Sequence, residues 1–180
     1  MNRRDVLVAG TAGIATGAAT MAAAPVDFPE PRLTFAFQAE VLLGQIQELG
    51  TIDGVRRRIV PIVGGTVAGP RLTATVLPGG ADWQGIRPGD GLTRVWARYW
   101  IKTEDGTAIG IENAGIRRAS AAIMQRLMSG EVVPPSAYYF RTVPQFEVGE
   151  GPYQWLNETV FVGIGARLRD RALIRIYSVM

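Results

Sequence analysis

Residues 33–41, LTFAFQAEV, set Leu33, Phe35, Phe37, Ala39 and Val41 against Thr34, Ala36, Gln38 and Glu40. A period of two is the signature of a strand with one buried face, because successive side chains of an extended chain point to opposite sides. Similar runs recur at 57–63, 70–77, 92–103, 107–113, 138–147, 156–168 and 171–179. The spaces between them are punctuated by many of the 22 Gly and 11 Pro of the 180-residue chain, which suits short strands better than long helices. Glu104-Asp105-Gly106 reads as a hairpin turn, with Asp-Gly supplying positive φ angles, and Arg169-Asp170 reads as another. One segment has helical spacing. Ser120 caps it, Ile123, Met124, Leu127 and Met128 form its apolar face, and Gly130 ends it.

About eight strands and one short helix fit either a closed antiparallel barrel or a sandwich. Mostly short connections, and a last strand able to pair with the first, favour the all-β, single-domain closed β-barrel, since closure removes the sheet edges. A barrel of this size either fills with side chains or holds one small ligand. The triplet Arg56-Arg57-Arg58 reads as a solvated strand edge. Its isolation, with a net charge of only +3, argues against a nucleic-acid partner.

The first 24 residues look like an address. MNRRDVLVAGTAGIATGAATMAAAP has a basic start, an uncharged stretch and a small-residue run, which is the layout of a secretory signal. Arg3-Arg4 resembles the twin-arginine export motif, although Asn2, Val6 and Val8 depart from its usual form. Cleavage is expected at 22–24, leaving 25–31 as a linker and 32–180 as the barrel, working in the periplasm or outside the cell. The apolar stretch is too weak for an anchor, so membrane contact is expected only during export.

The chain has no Cys and no His. Disulfides, thiol nucleophiles, Cys/His zinc sites and Ser-His relays are therefore excluded. No carboxylate loop of the calcium type and no phosphate-cradling glycine motif appears, so neither metal nor cofactor is expected. Catalysis would fall to Asp, Glu, Tyr, Lys or Arg.

Several residues are candidates. In VLPGGADWQ, Pro78-Gly79-Gly80 ends a strand and would set Asp82, Trp83 and Gln84 at the barrel mouth. There Asp82 would serve as base, Trp83 would stack on a flat ligand, and Gln84 would hydrogen-bond; alternatively Asp82 caps the turn and Trp83 is a plug. In YYFRTVPQF, Tyr139 and Arg141 share one face, and an Arg beside a Tyr in a lumen would bind a carboxylate or an enolate oxygen. The alternative pairs Arg141 with Glu147 or Glu158. WLNETVF aligns Trp155 and Asn157, the latter either a ligand contact or an amide that satisfies strand-end backbone groups. In RVWARYWIK, Val95, Ala97, Tyr99 and Ile101 face inward, while Arg94, Trp96, Arg98 and Trp100 form an outer stripe that would offer a second copy or another partner a surface. Asn113 would share the lumen with Tyr99.

The blocks GGTVAGPRLTATVLPGGADWQ, ARYWIKTEDGTAIGIENAG, YYFRTVPQFE and YQWLNETVFVGIG, in this order, resemble domain-of-unknown-function family 3237, also called uncharacterised protein family 0311. The likeness runs over residues 32–179. It implies a small barrel similar in outline to calycin-like and allene-oxide-cyclase-like barrels, and it implies no established activity. The expected function is binding of a small aromatic or conjugated organic molecule, with proton-transfer chemistry (isomerisation, cyclisation or elimination) on it. A non-catalytic carrier and a barrel with a filled core are the alternatives.

Overall fold

The computed structural model describes residues 27–180. The leader expected at 1–24, its cleavage region, and residues 25 and 26 lie outside them. Ten strands run in chain order: β1 (Leu33–Leu43), β2 (Gln47–Ile52), β3 (Val55–Ala68), β4 (Thr73–Val76), β5 (Gly80–Ile86), β6 (Thr93–Thr103), β7 (Ala108–Arg118), β8 (Tyr139–Glu147), β9 (Phe161–Arg167) and β10 (Arg171–Val179). One helix, α1 (Ala121–Met128), follows β7.

All pairings are antiparallel, and they close. Strand β1 pairs with β10 on one side and β3 on the other, and the ring continues through β9, β8, β7 and β6. The ten strands make eight staves. Along β3, β1 covers Ile62–Ala68 and β2 covers Val55–Ile59, so these two lie end to end on one flank. On the other flank β4 covers Thr66–Ala68 and β5 covers Arg56–Ile62. The 14-residue β3 is thus the spine that lets two short strands act as one on either side.

Turn chemistry explains the breaks. Asp53 and Gly54, at φ 51° and 74°, make the tight β2–β3 hairpin, a sequence signal of the kind that Asp-Gly supplies. Between β6 and β7 only Gly106 takes a positive φ (87°), while Asp105 accepts the Thr107 N–H at 3.0 Å. Helix α1 begins where Ser120 Oγ accepts the Ile123 N–H and stops before Gly130, at φ 83°. It sinks Met124 and Leu127 into the core and leaves Met128 exposed.

One end of the barrel is closed by aromatic rings. Phe37 meets Phe146 edge-on at 5.8 Å, Phe146 meets Phe161 at 5.0 Å, and Trp155 tilts against Phe161 at 5.7 Å. The Arg71 guanidinium lies 3.8 Å over the Trp155 ring from outside this cluster. The polar residues of the lumen gather away from this plug.

The strands differ from the expected set at several places, among them β2, which no expected run covered. Residues 80–86, read as a turn and its sequel, are β5, and residues 156–160 precede β9 instead of opening it. Arg56-Arg57-Arg58 is not an edge either, because β3 is paired there with both β2 and β5.

Candidate active site

The register of β5 to β8 builds the site. Asp82 stands opposite Ala97 on β6, and Ala97 stands opposite Asn113 on β7. One row further, Gln84 is level with Val95, Gly115 and Thr142. The next row is Ile86, Thr93, Arg117 and Phe140. The small side chain of Ala97 and the absent one of Gly115 leave the middle of the wall thin. On the far wall, Gly165 lets the Phe140 ring lie across β9; an added Cβ there would sit 2.3 Å from it.

What remains is a hollow. It measures about 50 Å³ by where the centre of a water molecule can lie, and its lining includes Asp82, Gln84, Tyr99, Asn113, Arg117, Thr142 and Arg167. Val41, Ile62, Val95, Phe140 and Ile174 supply apolar walls. An interior of this volume admits a few waters or the reacting part of a small molecule.

Asp82 is held from behind. Its carboxylate accepts the Trp96 backbone N–H at 3.0 Å and the Gln84 Nε2–H, and Gln84 Oε1 in turn accepts from Arg58 Nε at 2.8 Å. Burial nevertheless dominates and raises the Asp82 pKa, with the hydrogen bonds from Gln84 and Trp96 and the charges of Arg117 and Arg58 opposing it. The Tyr99 hydroxyl, fully enclosed, is pushed well above its usual 10.0 and stays protonated at neutral pH.

Two guanidiniums, of Arg117 and Arg167, line the hollow with this carboxylate, and a third, of Arg58, stands behind Gln84. Arg117, only 3% exposed, is pushed down to about 10 by burial and by the like charges of Arg58 and Arg167, with Asp82 opposing. Arg58 and Arg167 are lowered first by burial as well. All three remain charged at neutral pH. Arg167 donates through Nη1 to the Arg171 carbonyl at 3.1 Å, and its backbone N–H donates to the Tyr138 hydroxyl at 2.8 Å. Among the described residues, three buried side-chain atoms have no hydrogen-bond partner: Asn113 Oδ1, Arg117 Nε and Thr142 Oγ1. They occupy successive rows of one wall. Among the described residues no group of three or more carboxylates that could hold a metal ion occurs.

The structure brings Asp82, Gln84, Tyr99 and Asn113 into one lumen, with Asp82 and Gln84 inside a wall strand and not at a mouth loop. Trp83 alternates outward, where its ring lies 5.4 Å from Trp96. Tyr139 and Arg141 also lie on the outer face, so the lumen side of β8 belongs to Phe140 and Thr142. Arg141 pairs with neither glutamate expected for it. It donates to the Phe140 carbonyl at 2.9 Å and covers the Tyr139 ring at 5.1 Å, while Glu147 pairs with Arg98 and Glu158 accepts from Gln154. Trp155 sits in the aromatic plug, within the short 3-10 turn Gln154–Leu156. Asn157 locks the following loop, donating to the Val148 carbonyl at 2.7 Å and accepting its N–H at 3.2 Å.

Arg58, Arg117 and Arg167 were not among the sequence candidates. For Arg117 a signal existed: it lies four residues beyond Asn113 and therefore on the same face of β7.

Comparison with known proteins places this barrel. The family model described as "Protein of unknown function (DUF3237)" matches residues 31–179. A UPF0311 protein of Rhodopseudomonas palustris is 41% identical over 152 residues, spanning 84% of this chain and 99% of that one. A hydroalkoxylation enzyme of Penicillium herquei is 29% identical over 140 residues, 78% of each chain. Among solved structures, a conserved protein of unknown function from Rhodopseudomonas palustris superposes with a TM-score of 0.82 at 40% identity, covering 85% of this chain and 100% of that one. A beta-barrel like protein from Acinetobacter baumannii gives 0.76 at 37% identity, covering 87% and 100%. With a match across nearly all of the barrel, the chain belongs to the DUF3237 family, also designated UPF0311.

Proposed function

We propose that the barrel is an enzyme of proton-transfer chemistry, acting on a small conjugated or aromatic compound held in its lumen. The observation that carries this is Asp82: one half-buried carboxylate of raised pKa, held by Gln84 and the Trp96 N–H beside a hollow whose charge is otherwise positive. A carboxylate so placed is basic enough to take a proton from a hydroxyl or an acidic carbon, and neighbouring positive charge favours the anion that results. Cyclisation by addition of O–H across a conjugated C=C balances with these groups alone. Asp82 removes the hydroxyl proton, the oxygen bonds to the alkene carbon, and the proton returns to the adjacent carbon, so no oxidant or further reactant enters. The likeness to the Penicillium herquei hydroalkoxylation enzyme supports this reaction class.

The test is incubation of purified protein with hydroxylated enones and alkenyl phenols, with chromatography and mass spectrometry to detect an isomer of unchanged mass. Asp82→Asn is expected to lower turnover by about 10²–10⁴-fold. Turnover untouched by that change would remove Asp82 from the mechanism. Ligand bound and recovered unchanged would make the barrel a carrier.

The Arg3-Arg4 leader motif supports export to the periplasm or beyond. Changing both to Lys is expected to trap the protein inside the cell, and an unaltered distribution between cell fractions would refute export.

A further inference from the structure

We propose that the wall formed by β7 and β8 is an anion seat, centred on Arg117 and flanked by Asn113 and Thr142, and that the molecule it takes is a small organic monoanion, a carboxylate or phenolate with an apolar conjugated body. This deepens the reading of the lumen as a ligand site and rests on it. Arg117 is 3%, Thr142 3% and Asn113 5% exposed, yet Arg117 Nε, Thr142 Oγ1 and Asn113 Oδ1 have no hydrogen-bond partner among the described residues. A buried polar atom without a partner carries a large desolvation penalty, so three on one wall mark a place that something else completes.

Water would satisfy the hydrogen bonds but not the charge. Arg117 and Arg167 line the hollow with Asp82 as its single carboxylate, Arg58 stands behind Gln84 with Glu48 and Asp82 opposing its charge, and none of the three arginines belongs to an ion pair among the described residues. Their mutual repulsion in a low-dielectric interior falls when an anion enters. The guanidinium N–H groups of Arg117 suit the oxygens of a carboxylate or phenolate. Thr142 donates to the same oxygens, and Asn113 accepts a ligand hydroxyl. Asn113 and Arg117 are four residues apart on one strand, about 13 Å between Cα atoms. Side chains converging across that span leave room for a ring or short alkene between an anionic head and a hydroxyl. Phe140, Val95 and Ile174 provide its apolar contact, while Asp82 faces the seat from the β5 side of the lumen.

The experiment is calorimetric titration with acetate, acrylate and 4-hydroxybenzoate, each beside its neutral amide, and with chloride. At least one organic anion is expected to bind about thirtyfold or more tightly than its amide, the low end of what one partner of a buried charge pair contributes to affinity. Arg117→Met should abolish that preference and Arg117→Lys should restore part of it. Thr142→Val, an isosteric change, should weaken the anion without touching the amide if Arg117→Met fails to fold. Asp82→Asn should tighten anion binding by removing the opposing charge, whatever it does to turnover. The seat is overturned if anion and amide bind alike, if Arg117→Met and Thr142→Val both keep the preference, or if no organic anion binds at up to about 10 mM, including the case where only chloride does. Loss of turnover in Asp82→Asn with no anion preference would sink the seat alone. The preference with turnover indifferent to Asp82 would sink the catalytic reading alone.

Discussion

Asp82 couples the chemistry of the lumen to its stability. Its folded pKa lies above the ordinary 3.8 because burial outweighs the hydrogen bonds and charges that oppose it. The folded chain therefore binds this proton more tightly than the unfolded chain does. The stabilisation is complete below the ordinary value and is lost as pH rises through the raised one. Asp82→Asn should accordingly melt at a higher temperature than the parent at pH 8, with the two curves converging below about pH 4. Turnover should show the opposite slope, climbing with pH through the same raised value as the base form appears. A parent that melts higher than Asp82→Asn at pH 8 would mean that the arginines, not burial, govern this carboxyl. Arg58 shows how one position escapes pattern reading. Three consecutive arginines alternate in-out-in or out-in-out according to parity, and only pairing with β5 against Gln84 decides which of them is buried.

Strand β5 is held to β6 by close backbone approach, and this can be tested at its first residue. A Cβ added to Gly80 would lie 2.4 Å from Tyr99 Cβ and 2.6 Å from the Arg98 carbonyl oxygen. Gly80→Ala should destabilise the barrel by about 1–3 kcal/mol and loosen the strand that carries Asp82, read as a lowered urea midpoint together with weaker ligand binding. Asn157 makes the contrasting case. Its amide ties the loop before β9 to Val148, so Asn157→Ala should cost about 1 kcal/mol in the same denaturation experiment while leaving ligand affinity unchanged. A loss of affinity there would return Asn157 to the site. Alternation in β6 was legible because its two faces differ so plainly: Arg94, Trp96, Arg98 and Trp100 outside, Val95, Ala97, Tyr99 and Ile101 inside. In β8 the same alternation is present but both faces carry an aromatic ring, so period alone separates Tyr139 and Arg141 from Phe140 and Thr142 without saying which pair is enclosed.

The first and last strands close the barrel, Leu33 pairing with Val179 and Arg32 exchanging two backbone hydrogen bonds with Met180 at 2.9 and 2.8 Å. Contacts between chain ends make folding wait on long loop closures, and they make loss of either end felt everywhere. Denaturation should follow one cooperative transition by tryptophan fluorescence and by circular dichroism. Phe37→Ala, which hollows the aromatic plug, should lower the midpoint by an amount equivalent to about 3–5 kcal/mol with an unchanged slope. A separate early transition of β1 would contradict closure as the source of stability. The period-two runs, the Gly and Pro punctuation, Ser120 and Gly130 are local signals, and local signals determined most of the strands, helix α1 and the barrel class. The absence of Cys and His determined which catalytic chemistries were excluded. The site is another matter. That Asp82 stands level with Asn113 across Ala97, that Arg117 and Arg167 share its lumen with Arg58 behind Gln84, and that Tyr139, Arg141 and Trp83 face outward were decided by strand register and closure. Those are relations between segments as much as 109 residues apart, Arg58 and Arg167 being the extreme, and no local periodicity encodes which face of a strand the ring encloses.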